Sequence, residues 1–225
     1  MIVFSHRGKL NPKDPENTLY AFSKLYRNGI KNVELDIRKT KDNVLVVIHD
    51  KDTKRISDEN IEISKARYSD VSKVKIFDNH KIPTLENSLK SLKDLEVINI
   101  EIKQPGISSL LNEFLIDFLN ENSNFKPKLL ISSRIISEIN KITTSNRIST
   151  AYILNIFVRL RLKYTNKHPK LIVINRKFIN SRIIKYSSMN SIEIYCYTVN
   201  TLEEKQRLYN LGISGLYTDN PIQIK

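Results

Sequence analysis

Short runs of apolar, β-branched residues recur along the whole chain, separated by segments with helical spacing or by polar loops. Near-continuous apolar strands that alternate with helices are typical of a parallel sheet covered on its faces. Nine runs have this character: residues 2–5, 32–38, 44–48, 97–102, 129–132, 149–154, 171–175, 192–199 and 215–218. Helical spacing occurs in residues 18–28, 108–119, 135–143, 179–188 and 202–211. About eight strand–helix units predict an α/β protein with a closed (β/α)8 TIM barrel.

The length of the chain fits one such barrel and leaves little room for a second domain. These barrels usually take roughly 250 residues, and the chain has 225. We therefore expect a single barrel domain over residues 1–225. Residues 51–81 depart from the pattern because they are polar, densely charged and weakly periodic. We expect them to form a short inserted segment after the second strand region, with one or two short helices over one end of the barrel.

The start of the chain and its cysteine content bear on location. The first residues lack a basic leader, and no apolar run approaches the roughly 20 residues that span a bilayer. Cys196 is the single cysteine, which suits a reducing compartment because no disulfide can form within the chain. We expect a cytoplasmic protein.

Carboxylates interrupt two of the apolar strands. Glu34 and Asp36 share one face of the strand at 32–38, because side chains alternate along a strand. Two carboxylates repel each other and cannot be buried bare, so this face either meets water or holds a cation. Glu101 repeats the pattern in the strand at 97–102. Three carboxylates on inward strand faces predict a site for Mg²⁺ or Ca²⁺.

Two of the four histidines follow predicted strands. His6 comes directly after residues 2–5, and His49 comes directly after residues 44–48. The carboxyl ends of barrel strands carry the active sites of such folds. A pair of imidazoles at that end suits general acid and base catalysis on a phosphodiester.

The order and spacing of several short motifs give these residues a wider context. Together they resemble the signature of the glycerophosphodiester phosphodiesterase family, from Ser5 to Pro221. The blocks are His6-Arg7-Gly8, Pro15-Glu16-Asn17-Thr18, Glu34-Leu35-Asp36, Val47-Ile48-His49-Asp50, Ile82-Pro83-Thr84-Leu85-Glu86, Ile100-Glu101-Ile102-Lys103, Tyr197-Thr198-Val199-Asn200 and Gly215-Leu216-Tyr217-Thr218-Asp219-Asn220-Pro221. Any one block is weak, and the ordered set is specific.

The resemblance implies a catalytic pair and a metal site. His6 and His49 would together be the catalytic acid/base pair, one removing a proton from the attacking group and the other protonating the leaving alcohol. Glu34, Asp36 and Glu101 would hold the divalent metal, which is commonly Mg²⁺ or Ca²⁺ in this family.

The resemblance also implies a set of phosphate- and substrate-binding residues. Arg7 and Lys103 would bind phosphate oxygens and stabilise charge that develops on phosphorus. Glu16 would pair with Arg7 and fix its direction, and Asp50 would orient His49. The family usually places Trp before its Thr-Val-Asn motif, where this chain has Tyr197 and no Trp. Tyrosine keeps an aromatic pocket wall and adds a hydroxyl group.

The function expected from these residues is metal-dependent hydrolysis of glycerophosphodiesters to glycerol 3-phosphate and an alcohol. The attacking group is either water or the neighbouring glycerol hydroxyl, which would give a cyclic phosphate that water later opens. An alternative is a lysophospholipase D-like activity on lysophospholipids at a membrane surface, because the inserted segment looks short for the family and leaves the site more open. A phospholipase on the same barrel, of the phosphatidylinositol-cleaving or phospholipase D-like kind, is a further rival that chelator sensitivity distinguishes.

The charge of the chain is strongly positive and uneven. The net charge is +13, and residues 126–185 contain 14 Lys or Arg and one acidic residue, Glu138. The basic charge of residues 126–185 either reflects a Lys-, Ile- and Asn-rich composition or binds an anionic partner. Because no nucleic-acid motif accompanies the charge, a nucleic-acid-binding protein rests on charge alone, and we expect none to bind. The sequence does not indicate an oligomeric state.

Residues 155–163 follow the strand at 149–154 and alternate apolar with basic side chains. They are either an ordinary wall element over the core or a patch that contacts anionic membrane and delivers lipid substrates. The expected partners are therefore a small glycerophosphodiester substrate and, in the second reading, an anionic membrane surface.

Overall fold

Eight parallel strands close into a barrel in the computed structural model, which describes residues 1–77, 79–154 and 169–224. The described strands are β1 (Ile2–Ser5), β2 (Asn32–Lys39), β3 (Leu45–Val47), β4 (Val97–Ile102), β5 (Lys128–Ser133), β6 (Ile148–Leu154), β7 (Leu171–Asn175), β8 (Glu193–Tyr197) and β9 (Gly215–Thr218). β1 pairs with both β2 and β9, which closes the ring. The predicted (β/α)8 TIM barrel is confirmed, and residues 155–163 lie outside the described residues.

Residues 44–48 were predicted to be one of the strands that alternate with helices in the barrel. This prediction is wrong, because the strand they form lies outside the barrel. β3 pairs antiparallel with the end of β2, in a register that sets Val47 opposite Ile37. The connection is a tight turn in which the Thr40 backbone N–H donates to the Val44 carbonyl. A parallel neighbour would need a crossover of about a dozen residues, so a turn this short forces an antiparallel hairpin.

Helices connect the barrel strands on the outside. The described α-helices are α1 (Leu19–Leu25), α2 (Tyr68–Val71), α3 (Leu85–Ser91), α4 (Ser108–Glu121), α5 (Ile136–Ile139), α6 (Ser181–Met189), α7 (Leu202–Asn210) and α8 (Pro221–Ile224). Side-chain oxygens of Thr18, Thr84, Asn180 and Thr201 cap α1, α3, α6 and α7. No helix in the described part of the chain combines the length and hydrophobicity that crossing a bilayer requires.

The helix predicted over residues 135–143 is much shorter in the structure. α5 makes a single turn, because the chain after it turns toward α4, where the Thr143 backbone N–H donates to Asn112. Glu138 of α5 also turns inward and accepts hydrogen bonds from the backbone N–H groups of Ile107 and Ser108 at the start of α4. A tertiary carboxylate thus caps the longest described helix.

Two layers of apolar side chains enclose the barrel wall. Val33, Leu35 and Ile37 of β2 are fully buried between the sheet and the helices. Inside the barrel, a smaller apolar cluster that includes Phe4 and Tyr195 fills the lower part. The upper part of the interior, at the carboxyl ends of the strands, is polar. The functional residues lie in this part.

The inserted segment at residues 51–81 has an apolar core of its own. Ile56, Ile63, Val71, Val74 and Ile76 pack together with residues of β3 and its flanks. The described part of the segment contains the single-turn helix α2 and a 3-10 turn at Ile63–Lys65, in line with the one or two short helices expected. Its polar sequence concealed this core, because the buried positions are too widely spaced to form a helical or strand pattern.

Candidate active site

Three carboxylates meet inside the upper barrel. Glu34 and Asp36 point inward from β2, and the parallel pairing of β2 with β4 sets Asp36 directly beside Glu101. One oxygen from each of the three carboxylates lies within 4.8 Å of the others. Glu34 and Asp36 are 3% and 1% exposed. The alternation along β2 and the register with β4 are therefore sufficient to build the acidic cluster.

Two cations partly balance this cluster. Lys103 Nζ lies 2.8 Å from Glu101 and 3.4 Å from Asp36. Arg7 Nε lies 3.4 Å from Asp36, and its backbone N–H donates to Glu34 at 2.9 Å. Two cations against three carboxylates, two of which are buried, leave one negative charge without a permanent counter-charge at this distance.

Burial and the neighbouring charges shift the pKa values of the three carboxyl groups in different directions. Burial raises the pKa of Glu34 well above its ordinary value, and the charges of Asp36 and Glu101 raise it further. Burial and Asp36 likewise raise the pKa of Glu101. For Asp36, burial acts in the same direction, but Lys103 and Arg7 outweigh it and the pKa is lowered. Glu34 is therefore the member whose charge the protein alone stabilises least.

A divalent cation fits this donor set. Glu34 Oε1 is buried and has no hydrogen-bond partner among the residues that the structure describes, although buried polar atoms are nearly always paired. Asp36 is held in place because Asn17 donates to its Oδ2 at 2.8 Å. Clustered carboxylate oxygens are the ligands that Mg²⁺ and Ca²⁺ prefer.

A tight turn after β1 directs His6 and Arg7 toward the carboxylates. The turn spans His6–Gly8, and Arg7 adopts φ 56°. Gly8 has φ +75°, and a Cβ there would lie 2.5 Å from the Phe22 ring. Only glycine fits this position without strain or collision. Glu16 accepts from Arg7 at 2.9 Å, which is the pairing expected from the sequence.

Each predicted catalytic histidine is bound to a carboxylate through Nδ1. His6 Nδ1 lies 2.8 Å from Asp219 Oδ1, and His49 Nδ1 lies 2.7 Å from Asp50 Oδ1. Such a bond fixes the ring and leaves Nε2 as the free nitrogen. His6 Nε2 is 4.0 Å from Glu34. Burial lowers the pKa of His49, so its neutral form is favoured.

His49 lies at the site as expected, but the strand before it differs from the one expected. It follows the antiparallel strand β3, not a parallel barrel strand. The Ile48 backbone N–H donates to the Asp36 carbonyl at 2.9 Å, and Arg38 Nε donates to the His49 carbonyl at 3.0 Å. The hairpin thus returns the chain to the barrel mouth beside the carboxylates.

A cavity of about 230 Å³ opens above these groups. Most of the predicted site residues line it: His6, Arg7, Glu34, His49, Glu101, Lys103 and Tyr197. Asp36 and Glu16 are not part of its described lining. Asp36 lies behind the wall between Arg7 and Lys103, and Glu16 lies behind Arg7. Glu16, which we expected among substrate-binding residues, is therefore placed to support Arg7.

Several polar residues of the site were not predicted from the sequence. Asp219 was inside a recognised motif but received no role, although it follows the carboxyl end of β9. Buried Lys9 lies 2.7 Å from Asp219. Arg55 of the inserted segment pairs with both Glu16 and Asp50. Arg134, just after β5, lines the cavity. A strand-end position was the available indication for Asp219 and Arg134.

Almost the whole chain matches the model of one known protein family. The model of the glycerophosphoryl diester phosphodiesterase family matches residues 6–223. The chain belongs to this family. The resemblance expected from the sequence motifs is thus confirmed, and with it the expectation of a phosphodiesterase enzyme.

Similar proteins cover the chain almost completely. The glycerophosphodiester phosphodiesterase of Caldanaerobacter subterraneus subsp. tengcongensis is 28% identical over 240 residues, which cover 98% of this chain and 94% of the relative. Human lysophospholipase D GDPD1 is 24% identical over 273 residues, with 98% and 84% covered. A phosphodiesterase from Oleispira antarctica, solved in complex with the product sn-glycerol-3-phosphate, superposes with a TM-score of 0.85 at 21% identity and covers 100% and 95%. The last likeness bears on the fold alone.

Proposed function

We propose that this member of the glycerophosphoryl diester phosphodiesterase family hydrolyses glycerophosphodiesters to glycerol 3-phosphate and an alcohol, and that it requires a divalent cation, Mg²⁺ or Ca²⁺. The observation that carries this proposal is the three-carboxylate cluster with an unpartnered Glu34 oxygen, beside two carboxylate-bound histidines. The full-length relative named glycerophosphodiester phosphodiesterase supports the substrate class.

In this proposal, the protein supplies phosphate binding and proton transfer. A cation held by Glu34, Asp36 and Glu101 would neutralise phosphate charge and act as a Lewis acid. Arg7 and Lys103, on the cavity wall, hold the non-bridging phosphate oxygens and stabilise the charge that develops on them.

The two histidines then divide the proton transfers. Neutral His49 accepts the proton of the attacking oxygen through Nε2, while Asp50 holds its Nδ1 side. His6, fixed by Asp219, donates a proton to the departing alcohol oxygen. The bond from phosphorus to the attacking oxygen forms as the bond to the alcohol oxygen breaks, so one proton enters and one leaves the histidine pair.

The test is release of glycerol 3-phosphate from glycerophosphocholine and glycerophosphoglycerol, with Mg²⁺ or Ca²⁺ and then with excess chelator. We expect metal-dependent release that falls by at least about a hundredfold in His6→Ala and His49→Ala. Two exposed lysines, Lys126 and Lys65, provide matched surface controls as alanine variants. Unchanged release in either histidine variant would remove that histidine from the mechanism.

A lysophospholipase D-like activity is the second candidate, and the full-length similarity to human lysophospholipase D GDPD1 favours it. The apolar side chains of Ile153 and Val173 on the cavity wall are compatible with a less polar substrate. Lysophosphatidylcholine provides the test, because this activity releases choline and lysophosphatidic acid. Hydrolysis of the lysophospholipid at a higher kcat/KM than glycerophosphocholine would favour the second candidate over the first.

A further inference from the structure

Arg134 lies at the cavity mouth on the same level as Lys103. The parallel register sets Glu101 beside Ser132 and Ile102 beside Ser133, so the next residues on the two strands, Lys103 and Arg134, leave β4 and β5 side by side. Both line the cavity. The mouth therefore carries two adjacent cations, at the carboxyl ends of β4 and β5.

These cations differ in the partners that they already have. Lys103 is paired with Glu101 and Asp36, and Arg7 is paired with Glu16 and Asp36. Within residues 1–77, 79–154 and 169–224, no carboxylate lies within ion-pair distance of the Arg134 guanidinium. Among the cations that line the described cavity, Arg134 is thus the one without a carboxylate at ion-pair distance, and its charge acts on Glu101 only from farther away.

Arg134 is held over the cavity by Tyr197. Its Nη2 donates to the Tyr197 hydroxyl at 3.3 Å, and the guanidinium carbon lies 5.9 Å from the ring centre. β5 and β8 are separated in the ring by β6 and β7, so this contact crosses the mouth above Ile153 and Val173. Stacking on an aromatic face restrains an arginine and leaves its remaining N–H groups free to donate.

We propose that Arg134, supported by Tyr197, forms an anion-binding subsite that selects glycerophosphodiesters whose alcohol group carries a negative charge. This inference rests on the proposed function. In the proposed function Arg7 and Lys103 bind the phosphate oxygens, and the glycerol substituent is uncharged, so a second anion that reaches Arg134 belongs to the other alcohol. A guanidinium binds a carboxylate through two parallel hydrogen bonds and repels an ammonium group.

The test uses three diesters with the same scissile bond: glycerophosphoethanolamine, which is cationic at the headgroup, its N-acetyl derivative, which is neutral, and its N-succinyl derivative, which is anionic. For each, kcat/KM is measured for the wild type, Arg134→Gln, Arg134→Lys and the control Arg27→Gln. Arg27 is exposed and lies before β2, at the opposite end of the barrel. Taking the ratio of wild type to variant for each diester cancels differences in headgroup size.

We expect the wild type to favour the anionic over the cationic diester by about fivefold, because one partly exposed ion pair contributes up to about 1 kcal/mol. The preference should disappear in Arg134→Gln, persist in part in Arg134→Lys and be unchanged in Arg27→Gln. Equal slowing of all three diesters by Arg134→Gln, or a preference that survives it, would overturn the subsite.

The two proposals fail in different ways. Hydrolysis of the neutral diester supports the proposed function whatever the headgroup preference is. If none of the three diesters is hydrolysed, the proposed function fails, and calorimetric binding of the same diesters to wild type and Arg134→Gln decides the subsite. Tighter binding of the anionic diester that is lost in the variant supports it, and equal binding overturns it.

Discussion

Replacing Glu34 with glutamine should stabilise the metal-free protein while it abolishes metal binding. Glutamine keeps an oxygen that can accept the Arg7 backbone N–H, which donates to Glu34 at 2.9 Å. It also replaces the unpartnered, buried Oε1 with an amide group that can donate to a neighbouring carboxylate. The remaining two carboxylates then match the two cations, Arg7 and Lys103.

The size of the effect follows from the burial of this group. A buried, unsatisfied acceptor costs about 1–3 kcal/mol, so we expect the metal-free Glu34→Gln variant to gain about 1–2 kcal/mol. For a domain of this size, about 1 kcal/mol corresponds to roughly 2–4 °C in Tm. Metal has the opposite effect, because a ligand at 100 times its Kd stabilises the wild type by about 2.7 kcal/mol.

The assay is thermal unfolding in chelator and then across a titration of Mg²⁺ or Ca²⁺. We expect the variant to be the more stable protein in chelator and the wild type to overtake it as metal is added. Glu96→Gln is the matched control, because Glu96 is exposed and paired with Lys31 at the surface. A variant that is less stable than wild type in chelator, or that gains as much Tm from metal, would refute this reasoning.

Three further predictions concern residues that support the site or the barrel. In Asp219→Asn, loss of the charge that orients His6 should lower kcat by at least about tenfold with little change in KM, because Asp219 is outside the described cavity lining; steady-state kinetics checks this, and an unchanged kcat contradicts it. In Glu138, burial opposes ionisation, but hydrogen bonds from Ser108 and the adjacent backbone lower the pKa to about 2. Glu138→Gln should therefore cost about 1.5–3 kcal/mol at pH 7, and in urea unfolding this deficit should shrink as pH falls from the ordinary value of 4.5 toward about 2; a pH-independent deficit would contradict the charge-based cap. In Gly215→Ala, the new Cβ would lie 2.6 Å from the Tyr195 ring, so we expect a loss of about 1–3 kcal/mol of stability in the same assay, and a neutral result would mean that Tyr195 moves freely.

The acidic cluster could be predicted from sequence because two local rules were sufficient. Strand alternation put Glu34 and Asp36 on one face, and neighbouring parallel strands brought Glu101 to the same level. The barrel followed from the repeated apolar strands. Residues 44–48 were wrongly counted among the parallel strands, because an apolar run carries no information about strand direction. The five residues between 38 and 44 were the available indication, since they are too few for a crossover helix.

The supporting residues could not be predicted because they depend on long-range contacts. Asp219 is 213 positions from His6, and Arg55 comes from a segment whose polar sequence hid its own apolar core. Arg134 was not predicted as a site residue because it is one basic residue among many. Its role in the proposed subsite depends on the contact with Tyr197 across the barrel mouth. Pairings of this kind are specified by the closed barrel as a whole.

The most direct test of the central claim is ³¹P NMR of glycerophosphoglycerol incubated with the wild type, with and without chelator, and with Glu34→Gln and Glu96→Gln. We expect conversion of the phosphodiester to glycerol 3-phosphate that requires Mg²⁺ or Ca²⁺, is lost in Glu34→Gln and is retained in Glu96→Gln. Conversion that continues in chelator and in Glu34→Gln would contradict a metal-dependent phosphodiesterase at this site.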